Sequence, residues 1–173
     1  MALKRGRFFF GGLTAAAFLI DRANLARGER LLVSGATGAV GSAAVQIGCH
    51  LGATISPMAS LANHALARSL GAGTLCDYCD GTPPGRFDVI LDVMGTLGWA
   101  RARSLLAPGG RLVMVTADLS HMLGAAQHPR RRGCRVLTGT NKDDVPGQPL
   151  QVLLRKLGEL RQGDRARKAA FKD

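Results

Sequence analysis

The chain is poor in acidic residues and in aromatic rings: twelve Asp and Glu stand against 23 Lys and Arg, and one Trp and one Tyr accompany six Phe in 173 residues. The acid deficit leaves a formal net charge of +11, which attracts anions such as phosphates, nucleic acid or acidic membranes without choosing among them. The scarcity of rings argues against a base-stacking platform, which needs aromatics interleaved with the cations. No apolar run reaches the length that spans a bilayer. Nor does any Ser/His/Asp set, carboxylate pair or metal quartet stand out, so the catalytic residues stay unassigned.

Four cysteines are present, Cys49, Cys76, Cys79 and Cys134. Cys76 and Cys79 have the two-residue gap of a zinc knuckle or redox pair. No second ligand pair follows, because Cys134 stands alone and His121 and His128 are seven apart, so no metal site is expected. Reduced thiols and a cytoplasmic location are the default. Lys4, Arg5 and Arg7 followed by FFFGGLTAAAFLI imitate a secretory leader. Gly11-Gly12 interrupts that run, and a helical pattern continues from Thr14 to Arg27 and stops at Gly28, so export is not expected. Basic residues gather at 4–7, 130–132 and 161–172, and solvated ends and a solvated loop are the ordinary reading of such runs.

Elsewhere short apolar runs alternate with helical stretches. Residues 31–33, 53–56, 74–76, 87–92, 111–115 and 135–137 read as strands. Residues 39–51, 61–70, 97–106 and 151–160 read as helices. Leu61, Ala65, Leu66 and Leu70 are expected to face the core, with Asn63, His64 and Arg68 towards water. Pro108-Gly109-Gly110 is expected to form a turn, and Pro57 to end or bulge the second strand at Ser56. The alternation predicts an α/β fold: a Rossmann-type, doubly wound parallel sheet of about six strands with helices on both faces. One domain over residues 10–163 is expected, between a basic segment at 1–9 and a basic tail at 164–173.

In such folds ligands gather beyond the carboxyl ends of the strands, where strand order reverses. The first of these loops reads VSGATGAVGS, residues 33–42, with Gly35, Gly38 and Gly41 three apart. Glycine permits the dihedrals of a tight strand-to-helix turn and a close phosphate approach. The helix from Ala39 then offers unpaired N–H groups and the positive end of its dipole. Gly41 also allows the helix to pack closely on the first strand. Position after a strand and before a helix, in the first of several such units, favours dinucleotide binding over a plain turn.

The stretch GGLTAAAFLIDRANLARGERLLVSGATGAVGSAAVQIGCHLGATI, with ARSLGA, FDVILDVMG and LAPGGRLVMV after it, resembles the nucleotide-binding domain of the medium-chain dehydrogenase/reductase superfamily. Within it, the zinc-independent, quinone oxidoreductase-like branch is the best match. The resemblance implies Gly38, Ala39, Val40 and Gly41 beneath the cofactor pyrophosphate, and Gly35 and Ala36 of the same loop are also expected to bind the cofactor. The resemblance also implies Thr14 on the nicotinamide side, Thr116 after the fifth strand near the cofactor, and Tyr78 by the adenine end. The plainer roles are a helix cap for Thr14, a strand-end hydroxyl for Thr116 and a loop aromatic for Tyr78.

After the second strand an acidic residue would select NAD and a basic one NADP. Residues 56–64 read SPMASLANH, with no carboxylate. Ser60, Asn63 and His64 can bond a phosphate, although Ala62 stands where related sequences often carry a basic residue. NADP(H) is therefore favoured over NAD(H). Asp88 and Asp92 bracket a strand and are expected to anchor loops.

The resemblance implies hydride transfer between NADPH and a small carbonyl, enone or quinone, in an enzyme whose separate GroES-like domain covers the nicotinamide. That domain has no counterpart in the sequence, so substrate groups are expected from another segment or not at all. Two alternatives stand beside this reading. One is a basic Rossmann module that binds nucleic acid or regulates without catalysis. The other is an inactive remnant whose exposed interface aggregates or forms a homodimer.

Overall fold

The computed structural model describes residues 11–70, 75–79, 83–115 and 134–138. These fall in a compact unit over residues 1–140, apart from a second unit over 141–173. The predicted helix at 151–160, residue Thr116 and the basic run 130–132 lie outside the described residues.

The described chain opens in helix α1 (residues 11–22), wound as π-helix over Ala17–Arg22. It ends five residues before the expected Arg27. Asn24 turns left-handed at φ 48°, and the amides of Ala23 and Leu25 donate back to the Phe18 and Leu19 carbonyls. A left-handed Asn closes the last turn as a glycine would.

Strand β1 (Arg30–Ser34), helix α2 (Ala39–His50) and strand β2 (Thr54–Met58) follow. A single 3₁₀ turn at Leu61–Asn63 leads into the short α3 (His64–Ser69). Then come β3 (Phe87–Asp92), α4 (Gly98–Leu105), β4 (Leu106–Met114) and β5 (Arg135–Thr138). All strand pairs are parallel, in the order β2-β1-β3-β4-β5. The doubly wound α/β reading holds, with five strands among the described residues. Of the expected third strand, Cys76 makes one parallel bridge to Met58 and no ladder.

Each face of the sheet buries its own core. On one face Leu31, Val33, Ile55, Val89 and Leu91 pack with Phe18 and Leu19 of α1 and Ala44 and Val45 of α2. On the other, Leu32, Ile90, Leu112 and Met114 pack with Ala102 and Leu105 of α4. Apart from half-buried Asp88, every residue of β3 is buried, as a central parallel strand covered on both faces requires.

Three expectations are corrected. Leu61 and Leu66 are 76% and 48% exposed, and Ala67 is the buried residue of α3. Leu61 lies in the 3₁₀ turn and Leu66 points outward, while His64 is half-buried and Leu70 packs against the core as expected. Pro108-Gly109-Gly110 lies inside β4: between Phe87↔Leu106 and Val89↔Arg111 β4 uses five residues where β3 uses two, and the excess forms a bulge. Strand β2 runs through Pro57 without ending at Ser56. The Pro57 carbonyl accepts the Cys76 amide on the side away from β1. Its missing N–H falls on that same outer side, so the β1–β2 ladder loses nothing.

Candidate functional site

Strand order reverses between β1 and β3, so the loops leaving these two strands open a crevice at the carboxyl end of the sheet. The β1–α2 loop, residues 35–38, is held by its own backbone. The Gly38 amide donates to the Gly35 carbonyl at 3.0 Å, and the Ala36 amide to the Met58 carbonyl at 3.1 Å. The Gly35 amide donates to the Tyr78 hydroxyl at 2.6 Å, which donates to the Met58 carbonyl at 3.2 Å. Loop, end of β2 and the 75–79 segment are thereby tied together.

The three glycines are not equivalent. Gly35 has φ +76°. A Cβ on Gly41 would stand 2.0 Å from the Gly35 carbonyl oxygen, whereas one on Gly38 would meet that oxygen at 3.4 Å, an ordinary contact. Gly41 therefore admits its own loop's backbone against the first turn of α2, a closer constraint than the expected packing on β1. Gly38 caps α2 in extended conformation with no side-chain bond, and the first turn holds no acidic residue.

The first bond inside α2 runs from the Ser42 amide to the Gly38 carbonyl. The amides of Ala39, Val40 and Gly41 therefore precede any intrahelical partner. Unpaired amides with no competing carboxylate are the donor set a pyrophosphate needs, and the residues present fit a dinucleotide's phosphates.

Of the other expected residues, Thr14 sits half-buried in α1. It is one turn beyond Gly11, whose Cβ would approach the Ala39 carbonyl oxygen to 2.4 Å. The start of α1 thus abuts the start of α2. Ser60 and Asn63 are exposed and bonded to each other, Asn63 Nδ2 donating to Ser60 Oγ at 3.0 Å. His64 does not join them: its Nε2 lies 3.1 Å from the Ala59 carbonyl and 3.6 Å from Asp77 Oδ2.

Two features are missing from the sequence reading. Asp77 is buried, and its Oδ1 accepts the Cys79 amide at 2.7 Å. That bond first, and the facing His64, hold its carboxyl below the usual range against the opposing effect of burial. Its signal is the i to i+2 spacing of an Asx turn in Asp77-Tyr78-Cys79. Met94, 62% exposed, extends over Gly35, its Cγ 2.8 Å from where a Cβ would be. No pattern marks it.

Asp92 anchors the second loop, as expected. Buried at the end of β3, its Oδ1 accepts the Gly95 and Thr96 amides at 3.0 and 3.3 Å, and its Oδ2 the Leu97 amide at 3.0 Å. Thr96 Oγ1 lies 3.2 Å from Ser34 Oγ at the end of β1, which joins the two loops. Among the described residues, no group of three or more His, Cys, Asp or Glu could hold a metal ion, and no helix is long and apolar enough to cross a membrane.

No protein-family model matches the chain. It is 35% identical over 164 residues to the spectinabilin polyketide synthase system protein NorB of Streptomyces orinoci, an alignment covering 87% of this chain and 7% of that protein. It is 33% identical to the trans-enoyl reductase pgmF of Aspergillus terreus, over 61% of this chain and 32% of that protein. The chain thus spans less than half the length of either relative. The nucleotide-binding subdomain of the enoylreductase domain of PpsC from Mycobacterium tuberculosis superposes with a TM-score of 0.66 at 25% identity. That match covers 90% of this chain and 95% of the subdomain.

Proposed function

We propose that this chain, which belongs to the medium-chain dehydrogenase/reductase superfamily as a nucleotide-binding fragment, holds NADP(H) for an enoyl reductase or quinone oxidoreductase type of reaction. The carrying observation is the set of amides at Ala39, Val40 and Gly41, which precede any intrahelical partner in α2, while the Gly35, Ala36 and Gly38 amides are taken by Tyr78, Met58 and Gly35. When bound, the dinucleotide supplies a hydride for a small carbonyl, enone or quinone.

The chain's own residues bind and orient. The Gly35–Gly41 loop holds the pyrophosphate, with Gly35, Ala36 and Gly38 shaping it and the first amides of α2 donating. Thr14, at the junction of α1 and α2, serves the nicotinamide side, and Thr116 contacts the cofactor. Tyr78 lines the adenine end. Ser60 and Asn63, paired and exposed where a carboxylate would select NAD, take the 2′-phosphate. Water exclusion over the nicotinamide and the substrate contacts fall to a substrate domain. We place the protein in the cytoplasm, zinc-independent, with none of its four cysteines in a disulfide, and as a homodimer that light scattering would detect.

Titrating the full chain with NADPH and NADH, followed by cofactor fluorescence, tests this reading. Saturable binding of both, tighter for NADPH, is expected. Ser60→Ala with Asn63→Ala should remove the difference by weakening NADPH alone. Absence of saturable binding at low salt overturns the proposal, and tighter NADH binding overturns the NADP(H) assignment.

A further inference from the structure

We propose that the end of the sheet opposite the glycine loop is a docking surface for a carboxylate-rich polypeptide segment. In an all-parallel sheet every strand starts at the same end, and here the starts of β1, β3 and β5 carry arginine. Arg30 opens β1, Arg86 precedes β3 and Arg135 opens β5. Arg111 of β4 stands in register with Arg135. Arg27, in the loop before β1, lies across Gly52 in the loop before β2, its Cγ 3.0 Å from where a Cβ would be. Arg27, Arg30, Arg86 and Arg135 are all exposed.

Among the described residues, the carboxylates at this end, Glu29 and Asp88, are bonded elsewhere than to these four guanidinium groups. Glu29 Oε2 takes the Arg111 guanidinium and the Ala26 amide. Asp88 Oδ2 accepts the backbone amide of Arg30, not its side chain. The Arg30 guanidinium lies 5.2 Å over the Phe87 ring and donates to the Pro84 carbonyl. Arg86 donates to the Leu106 carbonyl. The recorded partners of Arg30 and Arg86 are thus a ring and carbonyls, which orient the forks and leave their charge in place.

A planar guanidinium held in this way matches a carboxylate with two parallel bonds. From β1 to β5 the row covers three strand spacings, about 14 Å, the length of roughly ten residues of helix. Phosphates would also meet the forks, but among the described residues a polynucleotide would find no ring to stack on at this end: Phe87 is buried, while Tyr78 reaches the glycine loop and Trp99 lies in the first turn of α4, at the other end of the sheet. The described large apolar residues that are exposed, Leu61, Leu66 and Met94, all belong to segments that follow strand ends, so the described residues at this end offer no wedge for a lipid surface.

The test measures anisotropy of a labelled sixteen-residue polyglutamate peptide against the full chain, with a dT16 oligonucleotide as the competing probe. Arg27→Gln with Arg135→Gln, and separately Arg30→Gln with Arg86→Gln, should each weaken peptide binding about tenfold at low salt and flatten its salt dependence. NADPH binding should not change. Arg68→Gln, in α3 and outside the row, should weaken the peptide less than twofold. The proposal is overturned if the peptide does not bind, if Arg68→Gln matches the loss of either pair, or if dT16 binds more tightly and shows the same arginine dependence. Two independent double variants, each checked by thermal melting, keep a folding defect from imitating the result.

Discussion

The Tyr78 hydroxyl stands between the Gly35 amide and the Met58 carbonyl, accepting from one and donating to the other. Tyr78→Phe keeps the ring and removes both bonds. A lost part-buried hydrogen bond costs on the order of 1 kcal/mol, so the first glycine of the loop should loosen and the NADPH dissociation constant should rise about fivefold. Fluorescence titration checks this; unchanged affinity would mean the tether has no part in shaping the loop.

Substitutions at two neighbouring glycines should diverge. Gly41→Ala places a methyl 2.0 Å from a backbone oxygen that cannot move aside; a loss of roughly 2–4 kcal/mol is expected. Gly38→Ala has room and an ordinary φ of −73°, and should stay within about 1 kcal/mol of the parent. Urea unfolding of the two variants decides whether loop closure or bound phosphate fixes Gly41.

Asp92→Ala strips acceptors from three consecutive amides in a partly buried loop. The expected cost is roughly 3–5 kcal/mol. Asp92→Asn keeps one carbonyl oxygen and should lose about half as much. Thermal melting separates them; equal stability of Asp92→Ala and parent would show that the loop is held by other contacts.

Asp77 gives the fold an acid-sensitive element. Its folded carboxyl is held below its ordinary value, chiefly by the Cys79 amide. A depressed carboxyl stabilises the folded state above the unfolded value, near pH 4, and that stabilisation fades as pH falls through the folded one. The stability gap between parent and Asp77→Asn should therefore be full at pH 6–7 and shrink below about pH 4. A gap constant down to pH 3 in urea titrations would contradict the assignment.

Much of this was legible from the residues. The run at 87–92 named β3 because continuous apolarity implies burial on both faces, and the glycine spacing located the crevice. Asp92 declared itself by ending that strand just before a loop. What remained hidden depended on tertiary context. Leu61 and Leu66 are exposed because a 3₁₀ turn over Leu61–Asn63 replaces the first turn of the expected helix, a break that periodicity does not register. Pro108 and Gly109 resemble a turn in any local reading, and only pairing with β3 makes them a bulge. Met94 reached Gly35 through topology alone.

Pro57 has a consequence for solubility. Edge strands invite other chains to extend a sheet, because their unpaired donors and acceptors form a template. At the outer edge of β2 the proline has no donor to offer, and its carbonyl is already taken by Cys76. Just beyond it, Cys76 also occupies Ala59, whose amide donates to the Cys76 carbonyl. A foreign strand arriving there meets a template with its central positions filled or blank, so growth of the sheet by strand addition stops at β2.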